Sequence, residues 1–170
     1  RKGIERATRH NPNPIEGEGH YLLGLALAAQ NRAALAEAAF HKAAWDGRFA
    51  ASSLFEVARI ELARGDSHAA ESSLRRSLGM NPRHHQAKHL LVVALVLQGE
   101  HEIAHRVAEE ELSVDPFNAG VLFELSHALG GDSSTFDQRV QASLQTGLEL
   151  ASDYAAAGQF DRAAVVLERL

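Results

Sequence analysis

His85 and His89 stand one helical turn apart, as do His101 and His105, with Glu109 a further turn beyond His105. Two imidazoles on one helix face can chelate zinc, but a stable site needs a third or fourth protein ligand. Gln86 follows His85, so that pair lacks the zinc-peptidase helix pattern. His101-Glu102-Ile103-Ala104-His105 does meet it, but the match supplies only two ligands and a general base, and without a third protein ligand it makes no site. The ten histidines therefore read as surface side chains on alanine-rich helices, and no metal is expected. Ser52-Ser53, Ser72-Ser73 and Ser133-Ser134 lack the glycine pattern of a nucleophile elbow. Gly130-Gly131-Asp132-Ser133 reads as a turn, and neither a phosphate loop nor a dinucleotide fingerprint occurs. Glu109-Glu110-Glu111 reads as a solvated helix face. Trp45, the single tryptophan, is expected to pack into the neighbouring structural unit, because large aromatics mostly bury. No catalytic residue and no cofactor is expected.

Composition narrows the class further. The 170 residues are 45% hydrophobic and 23% charged, carry a net charge of −5 and include no cysteine. That is enough apolar material for a core, and it excludes disorder, a disulfide scaffold and a cysteine-built zinc site. The acidic balance argues against nucleic acid as a partner. The longest apolar run, Leu90 to Leu97, is far short of the roughly 20 residues of a membrane span. Arg1 to Pro14 has no signal-peptide core. Absence of cysteine fits a reducing compartment, so a cytoplasmic setting is expected. Arginine outnumbers lysine, as in GC-rich bacterial proteins. With ends that fall inside helical patterns, the chain reads as a segment of a longer protein.

The elements that carry these residues repeat. Gly65 and Gly99 stand 34 positions apart, as do Pro82 and Pro116. Ala36, Ala70 and Ala104 keep the step, and so do Leu23, Val57, Leu91 and Leu125. Within a unit the apolar spacing is helical: Leu23, Ala26, Leu27 and Gln30 share one face, and Ala36, Ala39, Phe40 and Ala43 another. The turn near Asn31-Arg32 is short, so the two helices run antiparallel. Asp66 is placed to cap the helix that follows it. Asn81-Pro82 and Asp115-Pro116 should end second helices, since proline disfavours helical geometry in the residue before it. A hairpin of about 34 residues cannot bury its faces alone, so neighbouring hairpins must stack.

Tyr21-Leu22-Leu23-Gly24, followed by Leu27, Ala36, Phe40 and Ala43, resembles the tetratricopeptide repeat. Gly65, Ala70 and Pro82, then Gly99, Ala104 and Asp115-Pro116, supply the pattern of the next two units. The first unit departs where Asp46-Gly47-Arg48 replaces the usual acidic residue and proline. The resemblance implies an all-α, right-handed α-solenoid over residues 1–170, with units at about 17–50, 51–84 and 85–118 and an irregular stretch over 119–170. Arg1 to Pro12 would be a half unit, with Ile4, Ala7 and Asn11-Pro12 in register. In the irregular stretch, Thr135 and Gln138 suggest a capping box. Phe136, Val140, Leu144 and Leu148 then predict one long helix over Thr135 to Ala157, or two broken near Gly147. Phe40 to Gly47 and Leu148 to Tyr154 also resemble helical arrays that follow a carbohydrate-associated β-domain in some bacterial proteins, which would place a mutarotase-type sandwich N-terminal to this segment.

In the tetratricopeptide family the first helices line the concave side, and the resemblance places two sets of residues there. Tyr21, Phe55, His89 and Phe123 form one ladder; Leu25, Arg59, Val93 and His127 form a second, one turn on. Such a ladder can receive an extended peptide or stack on a sugar ring. Alternatively, the rings pack on adjacent helices, or the irregular C-terminal helix fills the groove. The basic clamp that some family members use on a terminal carboxylate is absent, since Tyr21, Leu22, Leu25, Gln86, His89 and Leu90 stand at those positions. Three readings stay open: a protein- or peptide-binding module without catalysis, a structural arm that packs on its own chain or dimerises, and an accessory to an upstream carbohydrate enzyme.

Overall fold

The computed structural model describes residues 17–170. The half unit expected over Arg1 to Pro12 lies outside the described residues. Among the described residues ten helices follow in order: α1 (Glu18–Ala28), α2 (Ala33–Ala43), α3 (Gly47–Ala63), α4 (Ser67–Met80), α5 (His85–Leu97), α6 (His101–Val114), α7 (Ala119–Ala128), α8 (Ser134–Ala142), α9 (Leu144–Ala156) and α10 (Phe160–Glu168). The described residues contain no strand. None of these helices is long and apolar enough to cross a membrane.

The step of 34 has a backbone cause. Asn31, Gly65 and Gly99, each 34 from the next, take left-handed φ values of 55°, 83° and 80°. Glycine adopts that geometry without steric penalty, and asparagine is among the few other residues that tolerate it. The turn reverses the chain within each hairpin, so α1 packs on α2 and α3 on α4. Asp66 caps α4 by accepting from the Ala69 amide at 3.0 Å. Helices α4 and α6 stop at Met80 and Val114, directly before the residues that precede Pro82 and Pro116. Asp46 takes over this boundary in the first unit. It caps α3 through the Arg48 amide and also accepts from the Gly17 amide at 2.8 Å, tying the start of α3 to the start of α1.

Two apolar clusters result. The smaller joins Leu27, Ala36, Ala39, Phe40 and Val57; the larger runs from Phe55 to Val166 and takes in the C-terminal helices. Gly24 admits the Phe40 ring, because a Cβ there would lie 2.5 Å from it. Alanines 36, 70 and 104 are fully buried, as helices that approach closely require.

The C-terminal stretch and four side chains correct the sequence reading. The stretch breaks at Ser143, where φ is −150° and ψ 97°, rather than near Gly147. Ser143 caps α9 through the Thr146 amide, while Gly147 lies inside α9 beneath Leu170. The Thr135–Gln138 capping box does not form; α8 begins at Ser134, and Ser133 Oγ donates to Asp137 at 2.7 Å instead. Trp45 is 78% exposed, since α2 ends at Ala43 and the indole falls in the short link before Asp46. Glu111 is fully buried although Glu109 and Glu110 are exposed, because α5 lies against that face of α6 and supplies His85 and Lys88 to it. His85 is half-buried and His89 is buried, so that pair is not a surface pair.

Candidate functional site

The first helices of successive hairpins, α1, α3, α5 and α7, carry the two ladders, and these divide into an open half and a covered half. In the open half, Leu25 is 37% exposed, its neighbour Leu22 is 45% exposed, and Tyr21 and Arg59 are half-buried. The Tyr21 ring lies 5.8 Å from Phe40 and 5.6 Å from Phe49. Burial raises the pKa of its hydroxyl; the negative charge of Glu56 adds to that and Arg59 opposes it. Arg59 Nη1 donates to both oxygens of Glu56, at 3.1 and 3.0 Å, and its guanidinium lies 5.8 Å from the centre of the Phe55 ring. Burial pushes the Glu56 carboxyl up, and Arg59 only partly offsets it. The cation that the second ladder brings to the groove is thus already paired. Phe55 itself is 7% exposed, with the His84 ring 4.7 Å away.

In the covered half, His89, Val93 and Phe123 are buried, whereas His127 is exposed and stacks on Phe123 at 4.9 Å. The cover is α9 with the turn that follows it, which together reach three first helices. Gln86 of α5 donates to Asp153 at 3.2 Å, Tyr154 reaches α5 and α7, and Gly158, just past α9, meets Ala63 at the end of α3. A Cβ on Gly158 would come within 2.6 Å of the Ala63 Cα, and φ there is 71°, so both space and backbone demand glycine.

A buried polar chain fastens this cover. Tyr154 Oη donates to Glu124 Oε1 at 2.6 Å, Arg162 Nε of α10 donates to the same oxygen at 2.9 Å, and His89 Nε2 lies 3.0 Å from Tyr154 Oη. Tyr154 spends its one proton on Glu124, so His89 must be the donor at Nε2; the network assigns the tautomer. Burial lowers the His89 pKa, with Glu124 and Asp153 opposing the shift and Arg162 adding to it. Burial raises the Tyr154 pKa well above its ordinary value, and the Glu124 charge adds to that. Gly120 leaves room for the His89 ring, which any Cβ there would overlap.

Sequence reasoning did not single out Glu124, Tyr154 or Arg162. Two signals pointed to them: a carboxylate inside the apolar run Val121–Leu125, and the helical spacing of Gly147, Leu150, Ala151 and Tyr154. All four of the latter are buried.

One group of donor atoms suggests a metal. His85, Glu111 and Asp115 bring one each within 4.8 Å of one another. Glu111 Oε1, however, already accepts from His85 Nδ1 at 2.6 Å and Asn118 Nδ2 at 3.1 Å, and the Lys88 ammonium lies 2.5 Å from Oε2. The carboxylate is held ionised even though burial opposes this, because Lys88, His85 and Asn118 together outweigh the desolvation. Its charge and lone pairs are spoken for, so the cluster ties α5 to α6. His101, Glu102, His105 and Glu109 line a cleft of about 570 Å³, into which Arg106 also brings a positive charge; among the described residues their donor atoms do not converge as those of His85, Glu111 and Asp115 do.

The tetratricopeptide repeat family pattern matches residues 2–53 and 56–119. The chain belongs to this family. No curated protein sequence matches it. Among solved structures, a crystal structure of MamA is similar over 99% of this chain and 86% of its own, with a TM-score of 0.63 and 16% identity. A second, MamA MSR-1 C2, is similar over 92% of this chain and 99% of its own, with a TM-score of 0.54 and 18% identity. At those identities the likeness is one of fold: stacked tetratricopeptide hairpins. Tetratricopeptide repeats are protein-interaction modules, generally without catalysis.

Proposed function

We infer that this tetratricopeptide array is a protein-binding module that receives an apolar segment of a partner on the open stretch of α1 and α3, at Tyr21, Leu25 and Arg59, and performs no reaction. His127 marks the far end of the same face. One observation carries the reading: Leu22 and Leu25 stay exposed beside a half-buried tyrosine, on the first described helix of an array whose other apolar ladder positions are covered. Exposed apolar side chains grouped in this way mark contact surfaces. Arg59 is neutralised by Glu56, which favours apolar contact over capture of a free carboxylate. Alternation of apolar and neutral polar residues is therefore the sequence expected in the ligand.

Peptide-library selection against the intact protein tests this. Selected peptides should lose binding to Leu25→Glu and Tyr21→Ala while keeping it to Trp45→Ala, which alters an exposed aromatic elsewhere. Equal binding to all three variants would remove the open stretch as the site.

A further inference from the structure

We propose that the covered half of the concave face is a receptor for a single amphipathic helix, that α9 is its resident ligand, and that the α9–α10 hairpin is a displaceable cover which an external helix of the same pattern can replace. This rests on the reading of the array as a protein-binding module and adds the chemistry of the ligand.

The seating of α9 sets it apart from the regular stack. In a solenoid each hairpin contacts its neighbours. Here Asp153 and Tyr154 reach back to Gln86 and His89 on α5, Tyr154 also reaches Glu124 on α7, and Gly158 in the turn after α9 reaches Ala63 on α3, so α9 and its turn span three levels of the array. The buried positions of α9, Gly147, Leu150, Ala151 and Tyr154, follow the spacing of an amphipathic helix laid in a groove. The groove supplies Phe123, with its ring centre 5.4 Å from that of Tyr154, and His89, 5.0 Å away and edge-on. The hairpin packs chiefly on itself, α9 against α10.

The fastening is polar where the rest of the core is apolar. Glu124 belongs to α7, His89 to α5, Tyr154 to α9 and Arg162 to α10, so the receptor contributes a carboxylate and an imidazole while the hairpin contributes a phenol and a guanidinium. Glu124 is fully buried, and its Oε2 has no hydrogen-bond partner among the described residues. A carboxylate left with an open acceptor in a buried groove can serve any helix that brings a hydroxyl or a cation to the same place. The pattern a competitor needs is a small residue, an aliphatic residue three or four positions on, and a tyrosine four beyond that.

A fluorescent peptide of residues 144–158 tests the proposal by anisotropy against the full chain and two full-length variants that loosen only the hairpin, Arg162→Ala and Gly158→Val. The wild type, with its groove filled, should bind the peptide weakly. Both variants should bind it at least about tenfold tighter, and Tyr154→Phe in the peptide should cost about tenfold, the value of one hydrogen bond to a charged group. Hydrogen exchange should quicken over 144–168 while 47–128 stays protected. Exchange of hairpins between two copies, seen as a dimer of the variants, would also support the same receptor and ligand. Equal affinity for wild type and variants, no binding by variants that still melt cooperatively, or faster exchange throughout the chain would each overturn it. Leu25→Glu should leave this titration unchanged, so its failure is separable from failure of the open-stretch site.

Discussion

Glu124 and Tyr154 lie 30 residues apart in the chain and share a hydrogen bond of 2.6 Å between two fully buried side chains. The bond joins the last regular first helix to the helix that crosses it. Tyr154→Phe keeps the ring and its contacts but removes the proton on Glu124 and the acceptor of His89. The expected loss of stability is about 1.5–3 kcal/mol, the range for bonds to charged groups. Tyr154→Ala adds a cavity and should cost roughly 3–5 kcal/mol. Urea unfolding of both variants checks this; a Phe variant as stable as wild type would show that the bond contributes nothing net.

Phe123 and Leu25 occupy equivalent faces of first helices but should answer opposite assays. Phe123 is fully buried among Phe136, Tyr154 and His127, so Phe123→Ala should cost roughly 3–5 kcal/mol of stability. Leu25→Ala removes an exposed side chain and should shift stability by no more than about 0.5 kcal/mol, while weakening peptide capture. Thermal melts and binding titrations on the same pair of variants separate the two roles. A large melting loss for Leu25→Ala would place it in the core.

The repeat was legible because it is local. Turn residues at Asn31, Gly65 and Gly99, caps at Asp66 and stops before Pro82 and Pro116 each act within a few residues, so their spacing shows in the sequence. The covering of the groove is not local. Whether Phe55, His89 and Phe123 face a partner or the protein's own C-terminus depends on where α9 lands, and that follows from contacts such as Tyr154 with Glu124 and Gly158 with Ala63. Trp45 misled for a related reason. Its size suggested packing, but α2 ends two residues earlier and hands the boundary to Asp46.

Gly158 and Gly79 give a matched pair. Gly158→Ala must hold φ near 71° and bring a methyl to 2.6 Å from Ala63, so it should destabilise by more than about 1 kcal/mol, a lower bound set by left-handed strain alone. Gly79 lies inside α4, and no described atom comes within 4 Å of the place an alanine methyl would take there. Gly79 sits in the last turn of α4, so Gly79→Ala should stabilise by up to about 0.5 kcal/mol through helix propensity. Denaturant midpoints of the two variants should move in opposite directions.

Stability should also depend on pH in a window set by histidines. Burial lowers the pKa of His20, His84 and His89 below the ordinary 6.5. Below about pH 6.5 the unfolded chain binds protons that the folded chain refuses, so the unfolded state is favoured as the pH falls through that value. The stabilisation is present above the unfolded pKa and is lost towards the lower folded values. Carboxylates act in a different range. Glu111 is lowered from 4.5, so its contribution fades only as the pH falls through 4.5 and below, whereas Glu56 and Glu61, raised by burial, act with the opposite sign. The groups facing His89 are Glu124 and Asp153, which favour its protonation, Arg162, which opposes it, and Tyr154, which takes its proton as a hydrogen bond. His89→Gln preserves a donor towards Tyr154 and removes the titration. Urea midpoints measured at several pH values on either side of 6.5 should therefore fall less steeply on acidification in His89→Gln than in wild type. An identical slope in the two proteins would show that His89 does not carry the acid sensitivity.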